Sequence, residues 1–266
     1  MTIFSDKTAV FQRYRVQNSL CTPMTGTIEK CEHVRMMVYI HILRFFKQCV
    51  ILVKDHSLGN DKMAEKLANA GALGLSAFGV TTLCMMLLNT KMIIEDGAGP
   101  GMAMVLGIGM FFGGLIQVLV GWQEWKSGNT FGATAFTSYG AFWLSFCMIQ
   151  IYGANYGFNN CAKAMGIYML AWTLFTVLMF IASLKLVPIL TIIFGTASIG
   201  FTLLTIGEFS EVAAVSQAAG FVGTLLALEA LYGGVAQVIN ECWGKELFPI
   251  GVEYMKKKKA AEAPKE

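Results

Sequence analysis

The stretch Gly128-Asn129-Thr130-Phe131-Gly132-Ala133-Thr134-Ala135-Phe136-Thr137-Ser138-Tyr139-Gly140-Ala141-Phe142-Trp143 decides how this chain is read. It is apolar enough to lie in a membrane, yet Thr130, Thr134, Thr137 and Ser138 recur at three- and four-residue steps. On a helix that spacing gathers their hydroxyls on one face. Hydroxyls in hydrocarbon cost free energy unless satisfied, so the face should meet another helix or a water-filled path rather than acyl chains. Two readings stand: hydroxyls bonded back to their own helix carbonyls at a helix contact, or hydroxyls lining a solute pathway. Asn129 begins the stripe, and Tyr139 stands about 100° round from Ser138.

Composition supports the membrane setting. The chain is 55% hydrophobic and 14% charged, against about 25% charged for soluble proteins. A net charge of +3 hides an asymmetry, because every arginine (Arg13, Arg15, Arg35, Arg44) and every histidine (His33, His41, His56) precedes residue 57. Residues 1–62 carry no long apolar run; the most apolar part, Met36 to Val53, is interrupted by His41, Arg44 and Lys47. Such charges oppose insertion, so the segment is expected to be a basic extension, partly disordered or an amphipathic surface helix, and not a signal peptide. Met63 opens a stretch that reads like a natural beginning, so the preceding residues are expected to be a dispensable or misassigned extension. Cys31, His33, His41 and Cys49 lack the spacing of a metal site.

From Ala70 onward come six apolar runs: Ala70 to Leu88, Gly101 to Val120, Phe131 to Tyr152, Met165 to Leu184, Pro188 to Ile206 and Ala213 to Ile239. Each is near the ~20 residues that cross a bilayer as a helix. The fold expected is all-α and polytopic: six transmembrane helices around a protomer pore over residues 63–251, then a Lys-rich tail over 252–266. With a cytoplasmic N-terminus, the inner segments hold Lys62, Lys66, Lys126, Lys185, Lys245 and Lys256 to Lys259, and the outer ones only Lys91 and Lys163. The positive-inside rule then puts both termini in the cytoplasm of a multi-pass protein of the plasma membrane.

Two spans repeat each other. Phe112-Gly113-Gly114-Leu115-Ile116-Gln117-Val118 matches Tyr232-Gly233-Gly234-Val235-Ala236-Gln237-Val238, with an acid following at Glu124 and at Glu241. Paired glycines allow close backbone approach. A buried amide has up to four hydrogen-bond valences to fill, so Gln117 and Gln237 read either as interhelix staples or as pathway ligands.

The run Gly113-Gly114-Leu115-Ile116-Gln117, then Glu124, then the stretch from Gly128 to Trp143 resembles the acetate/succinate permease family of bacteria, archaea and fungi. The resemblance continues to Asn240-Glu241 and Phe248-Pro249-Ile250-Gly251 and covers about residues 67–251. The family's opening motif, Asn-Pro-Ala-Pro-Leu-Gly-Leu, stands here as Asn69-Ala70-Gly71-Ala72-Leu73-Gly74-Leu75, without either proline that would fix the chain before the first turn. The resemblance implies a homo-hexamer of six-helix protomers, each with its own path for acetate, succinate and related small carboxylates. It implies a narrowing at Phe78 and Tyr139 and at an aliphatic position that falls on Ala197, a smaller side chain that favours a wider solute range. The expected pathway set is Phe78, Thr81, Gln117, Asn129, Thr130, Thr134, Thr137, Ser138, Tyr139 and Ala197.

Glu229 lies in mid-span between Leu228 and Ala230, where an ionisable group is costly and a functional candidate. Three readings are open: a proton-coupling site, a neutral acid bonded to a neighbouring helix, or a helix boundary that lies elsewhere. An enzyme is not expected, because beyond residue 57 there is no histidine and Asp96 is the one aspartate past Asp61. No phosphate-binding loop, cofactor or nucleic-acid site is read; Lys256 to Lys259 suit anionic headgroups. Transport of a small carboxylate linked to protons is the reading carried forward, with a passive anion channel and a non-transporting signalling or scaffold protein as alternatives.

Overall fold

The computed structural model describes residues 68–93, 100–153, 162–252 and 254–255. Contacts divide the chain into Met1–Lys66 and Leu67–Glu266, and the first unit lies outside the described residues. The N-terminal extension, its Cys and His residues and the lysine tail at 256–259 therefore fall outside the described residues as well.

Among the described residues of Leu67–Glu266 six long helices stand out: α1 (Ala70–Asn89), α2, α3 (Thr130–Tyr152), α4 (Ala162–Ser183), α5 (Pro188–Ser210) and α6 (Ala213–Trp243). Helix α2 runs as Pro100–Ile108, a π-helical stretch Gly109–Ile116 and Gln117–Lys126. Among the described residues there is no strand. All but α3 are long and apolar enough to cross a membrane. At 23 residues α3 spans about 35 Å, and its hydroxyls, with Gln150, lower its hydropathy. The helices overrun the apolar runs, α2 to Lys126 and α6 to Trp243, because polar residues continue a helix beyond the hydrocarbon.

Closest backbone approaches run α3 to α2, α2 to α1, α1 to α6, α6 to α5 and α5 to α4. Side chains close the ring between α3 and α4: Tyr139 donates to Thr176 Oγ1 at 2.9 Å, and Ser145 and Tyr168 share a hydrogen bond of 2.8 Å. Large apolar side chains point away from the ring, among them Leu174, Leu178 and Ile181 on α4 and Leu225 and Leu228 on α6. Those faces suit acyl chains.

The glycine pairs act as the repeat suggested, and both copies pack on α1. A Cβ at Gly113 would lie 2.7 Å from Thr81 Cγ2, and one at Gly234 would lie 2.8 Å from the Ala72 carbonyl oxygen. Each copy's glutamine then reaches α1: Gln117 Nε2 donates to Gly74 O at 3.4 Å, and Gln237 Oε1 accepts from Asn69 Nδ2 at 2.6 Å.

At Gly121 an added Cβ would strike Thr137 Oγ1 and sit 2.7 Å from the Thr137 backbone nitrogen, whereas at Gly107 it would meet nothing within 4 Å. Gly121→Ala is expected to destabilise by about 1–3 kcal/mol through overpacking against backbone. Gly107→Ala should stabilise by about 0.5–1 kcal/mol, since alanine loses less backbone entropy in a helix. Thermal unfolding of the two variants in detergent checks the contrast.

Candidate functional site

Among the described residues, two cavities lie within the ring of helices. The larger, about 720 Å³, lies among the start of α1, the end of α2, the starts of α3 and α5 and the end of α6. The smaller, about 250 Å³, lies among the opposite ends and is lined by Met85, Met86, Met102, Met165 and Met169 with several aromatic rings. Phe78 belongs to both walls.

Between the cavities the rings converge on Tyr139. Phe78 meets it edge to face at 5.8 Å, while Phe194 on the large-cavity side and Phe201 on the small-cavity side stand at 6.1 and 6.3 Å. Tyr139 is held by its hydrogen bond to Thr176, itself anchored on the Trp172 carbonyl. Ala197, 3% exposed, completes the large-cavity wall beside them. Phe78, Tyr139 and Ala197 are thus brought together as the resemblance implied. The sequence reading missed Phe194 and Phe201, although with Ala197 they recur at three- and four-residue steps on α5, a signal that one face carries all of them.

The wide end is set by helix starts. Asn69 caps α1 by accepting from Gly71 N at 3.1 Å, and Asn129 caps α3 by accepting from Gly132 N at 3.1 Å. Between these N-termini sits the Glu124 carboxylate, which accepts from Asn129 Nδ2 at 2.6 Å. Partial positive charge at two helix N-termini suits an anionic side chain there. Gln117, Gln237, Asn240 and Glu241 continue the wall, with Lys245 and Glu246 beyond α6. Glu246 accepts from the backbone of Ile250, Gly251 and Val252, and Asn240 pairs with the Phe248 backbone through both its amide atoms, so the Phe248 to Gly251 motif is tied to the end of α6. Of the opening motif, Gly74 lies under Phe136 and Val120, Leu75 lines the large cavity, and Leu73 is half-exposed on the opposite face.

The hydroxyl stripe is elsewhere. Thr130, Thr134 and Thr137 are exposed on the outside of the protomer, Ser138 is partly buried, and none lines either cavity. The face of α3 that does so carries Gly132, Ala135, Phe136 and Tyr139. This corrects the expected placement: periodicity finds a polar face but not what it faces. Thr81 is fully buried against Gly113 and lines neither cavity. Glu229 also lines neither; it sits between α6 and α5, where Thr196 Oγ1 donates to its Oε1 at 3.1 Å.

Among the described residues five buried side-chain atoms have no partner: Thr81 Oγ1, Thr82 Oγ1, Gln117 Oε1, Trp143 Nε1 and Glu229 Oε2. An unpaired buried polar atom costs about 1–3 kcal/mol. Gln117 belongs to the large-cavity wall, and Thr82 and Trp143 to the small one, so three of the five lie where a solute could pass.

Membrane-length helices enclosing two chambers that meet at an aromatic narrowing define a multi-pass membrane protein. The chain belongs to the GPR1/FUN34/yaaH family, which matches residues 57–245. It is 38% identical over 188 residues to the succinate-acetate/proton symporter SatP of Escherichia coli K12, covering 70% of this chain and 96% of that protein. It is 34% identical over 206 residues to acetate permease A of Emericella nidulans, covering 70% of this chain and 67% of that one. The solved structure of the bacterial acetate channel SatP superimposes with a TM-score of 0.64 at 38% identity, covering 70% of this chain and all of that one. These relatives are transporters and channels rather than enzymes.

Asn129 serves both the cap and the Glu124 bond, and the two roles can be separated. Asn129→Ala should cost about 1–2 kcal/mol from the lost cap. Asn129→Asp keeps a good cap but sets a second carboxylate against Glu124, so it should also destabilise, and less so as the pH falls and one carboxyl is protonated. Melting curves of both variants over a pH series check this.

Proposed function

We propose that the protein carries acetate and related small carboxylates across the plasma membrane, through a path within each protomer and in company with protons. The observation that carries this reading is the pair of cavities sharing Phe78, with unpartnered polar atoms on both walls. An apolar ring between them passes a methyl group more readily than a hydrated inorganic ion, whose water is costly to remove. The printed activities of the relatives agree in substrate and, for the Escherichia coli protein, in proton linkage. The lysine count of the connecting segments supports an orientation with both termini, and the large cavity, on the cytoplasmic side.

The homo-hexamer is part of the same proposal. Thr130, Thr134, Thr137 and Ala141 give α3 an exposed face of small and hydroxyl side chains, the kind that lets a helix of a neighbouring copy approach closely. Glu229 is read as an α5–α6 tie through Thr196 rather than as the proton carrier.

Labelled acetate uptake into proteoliposomes, with and without an imposed proton gradient, tests the function. Accumulation driven by the gradient is expected. Equilibration without accumulation would leave a passive channel, and no flux would leave a scaffold with a transporter's fold. Glu229→Gln should keep the pH profile of uptake, and a flattened profile would restore it as the coupling site. Ala197→Leu should cut lactate uptake relative to acetate about tenfold or more, the size of effect one or two methylenes have in a fitted site.

A further inference from the structure

The small cavity has a polar end. Asn89 closes α1, Gln150 stands near the end of α3, Glu208 lies in the last turn of α5 and Ser216 in the first turn of α6, and all four line it. Glu208 is the one titratable side chain on this wall among the described residues. Nothing local accounts for it. A carboxylate in the last turn of a helix faces the negative end of the helix dipole, which opposes it. The side chain is half-buried, and among the described residues no hydrogen bond or ion pair reaches its oxygens.

Counter-charge is missing from the wall as well. Lys91 follows α1, Lys163 stands at the start of α4 and Glu211 follows α5, and none of the three lines the cavity. The large cavity differs, because there Asn129 donates to Glu124, and Lys245 shares the wall with the acids. The small cavity therefore sets a single uncompensated carboxylate beside thioethers and aromatic rings, where screening is weaker than in water. Coulomb repulsion is proportional to the charge of the solute. A dianion pays it twice, so the factor holding back a dianion is the square of the factor for a monoanion. Width does not make that distinction: with the small Ala197 at the narrowing, charge is left to sort solutes of similar size.

We propose that Glu208 is a specificity-determining residue, whose carboxylate makes the small cavity a charge filter that passes monocarboxylates and holds back dicarboxylates. This rests on the transport reading and deepens it by naming the class of solute selected.

The test follows equilibration of labelled acetate, monomethyl succinate and succinate into proteoliposomes of the full chain. The vesicles are phosphatidylcholine, so the bilayer surface adds no net charge, and both sides are held at about pH 7, well above the range in which carboxylic acids titrate. Glu208→Gln should speed acetate and monomethyl succinate about fivefold each and succinate about 25-fold; fivefold is the effect of one unit charge at about 4 Å in bulk water. Glu208→Asp keeps the charge and should keep the native order. On the native protein, raising sodium chloride from about 10 to about 200 mM should narrow the gap between succinate and its monoester, because salt screens a charge barrier and leaves a steric one. Should neither variant fold, the salt series decides alone. Equal acceleration of all three solutes, unchanged ratios in a folded Glu208→Gln, or a gap independent of salt overturns the proposal while leaving transport intact. Absence of flux for every solute removes the transport reading and this inference with it.

Discussion

Helix α1 lies closer to its neighbours than an ordinary side chain would permit, and the arrangement of the bundle depends on that closeness. On one side Gly113 receives Thr81; on the other Gly234 receives the backbone at Ala72, and Gly79 receives the backbone of Ala227 and Leu231. In lipid there is no hydrophobic gain from bringing two apolar helices together, so van der Waals contact at small residues and interhelix hydrogen bonds have to do it. The two Gly-Gly segments supply the contact and their glutamines supply the bonds, one to Gly74 and one to Asn69. Helix α1 is thereby clamped by two copies of one device. Because α2 and α6 both close on α1, the looser side of the ring falls opposite, between α3 and α4.

That looser side is filled by aromatic rings, which is why the space between the two cavities narrows there. Tyr139, Phe142 and Trp172 pack edge to face and tilted at 5.2 to 6.2 Å between centroids, joined by Phe175, Phe194 and Phe201. Rings at these separations gain from offset and perpendicular contact and leave less room than their number suggests. The group has two polar atoms: the Tyr139 hydroxyl is turned to Thr176, and the Trp172 indole nitrogen is bonded to Tyr168. The narrowing is therefore largely apolar towards the two cavities, while the wider chambers keep their polar groups.

Much of this was legible in the sequence, and the failures have definite causes. The six spans follow from apolar length, and the close packing of α1 from the repeated Gly-Gly-x-x-Gln. The narrowing at Phe78, Tyr139 and Ala197 came from family resemblance; the residues alone do not bring α1, α3 and α5 together. The hydroxyl stripe was correctly seen as one face and wrongly aimed. Tyr139, a single residue past Ser138, turns inward, and about 100° per residue is enough to set the two on different surfaces. The π-helical stretch Gly109–Ile116 could not be read at all, because a pattern search at 3.6 residues per turn assumes the period that this segment breaks. Glu229 was found by its cost in mid-span, but its Thr196 partner lies on another helix, at a distance no sequence pattern encodes.

The missing prolines before α1 raise the question of what holds the start of that helix in place. Proline would fix φ and remove an amide that the first turn leaves unpaired. Here Ala70 and Ala72 take the prolines' places, and between them Asn69 Oδ1 accepts from the amide of Gly71. The same side chain gives its Nδ2 to Gln237, so one asparagine both caps α1 and ties it to α6. Across the cavity Asn129 repeats the arrangement, capping α3 and holding Glu124. A ring stiffens a chain locally, whereas these amides join a helix start to a neighbouring helix. The mouth of the large cavity is thus positioned by paired asparagine caps, and its geometry depends on Gln237 and Glu124 staying within their reach.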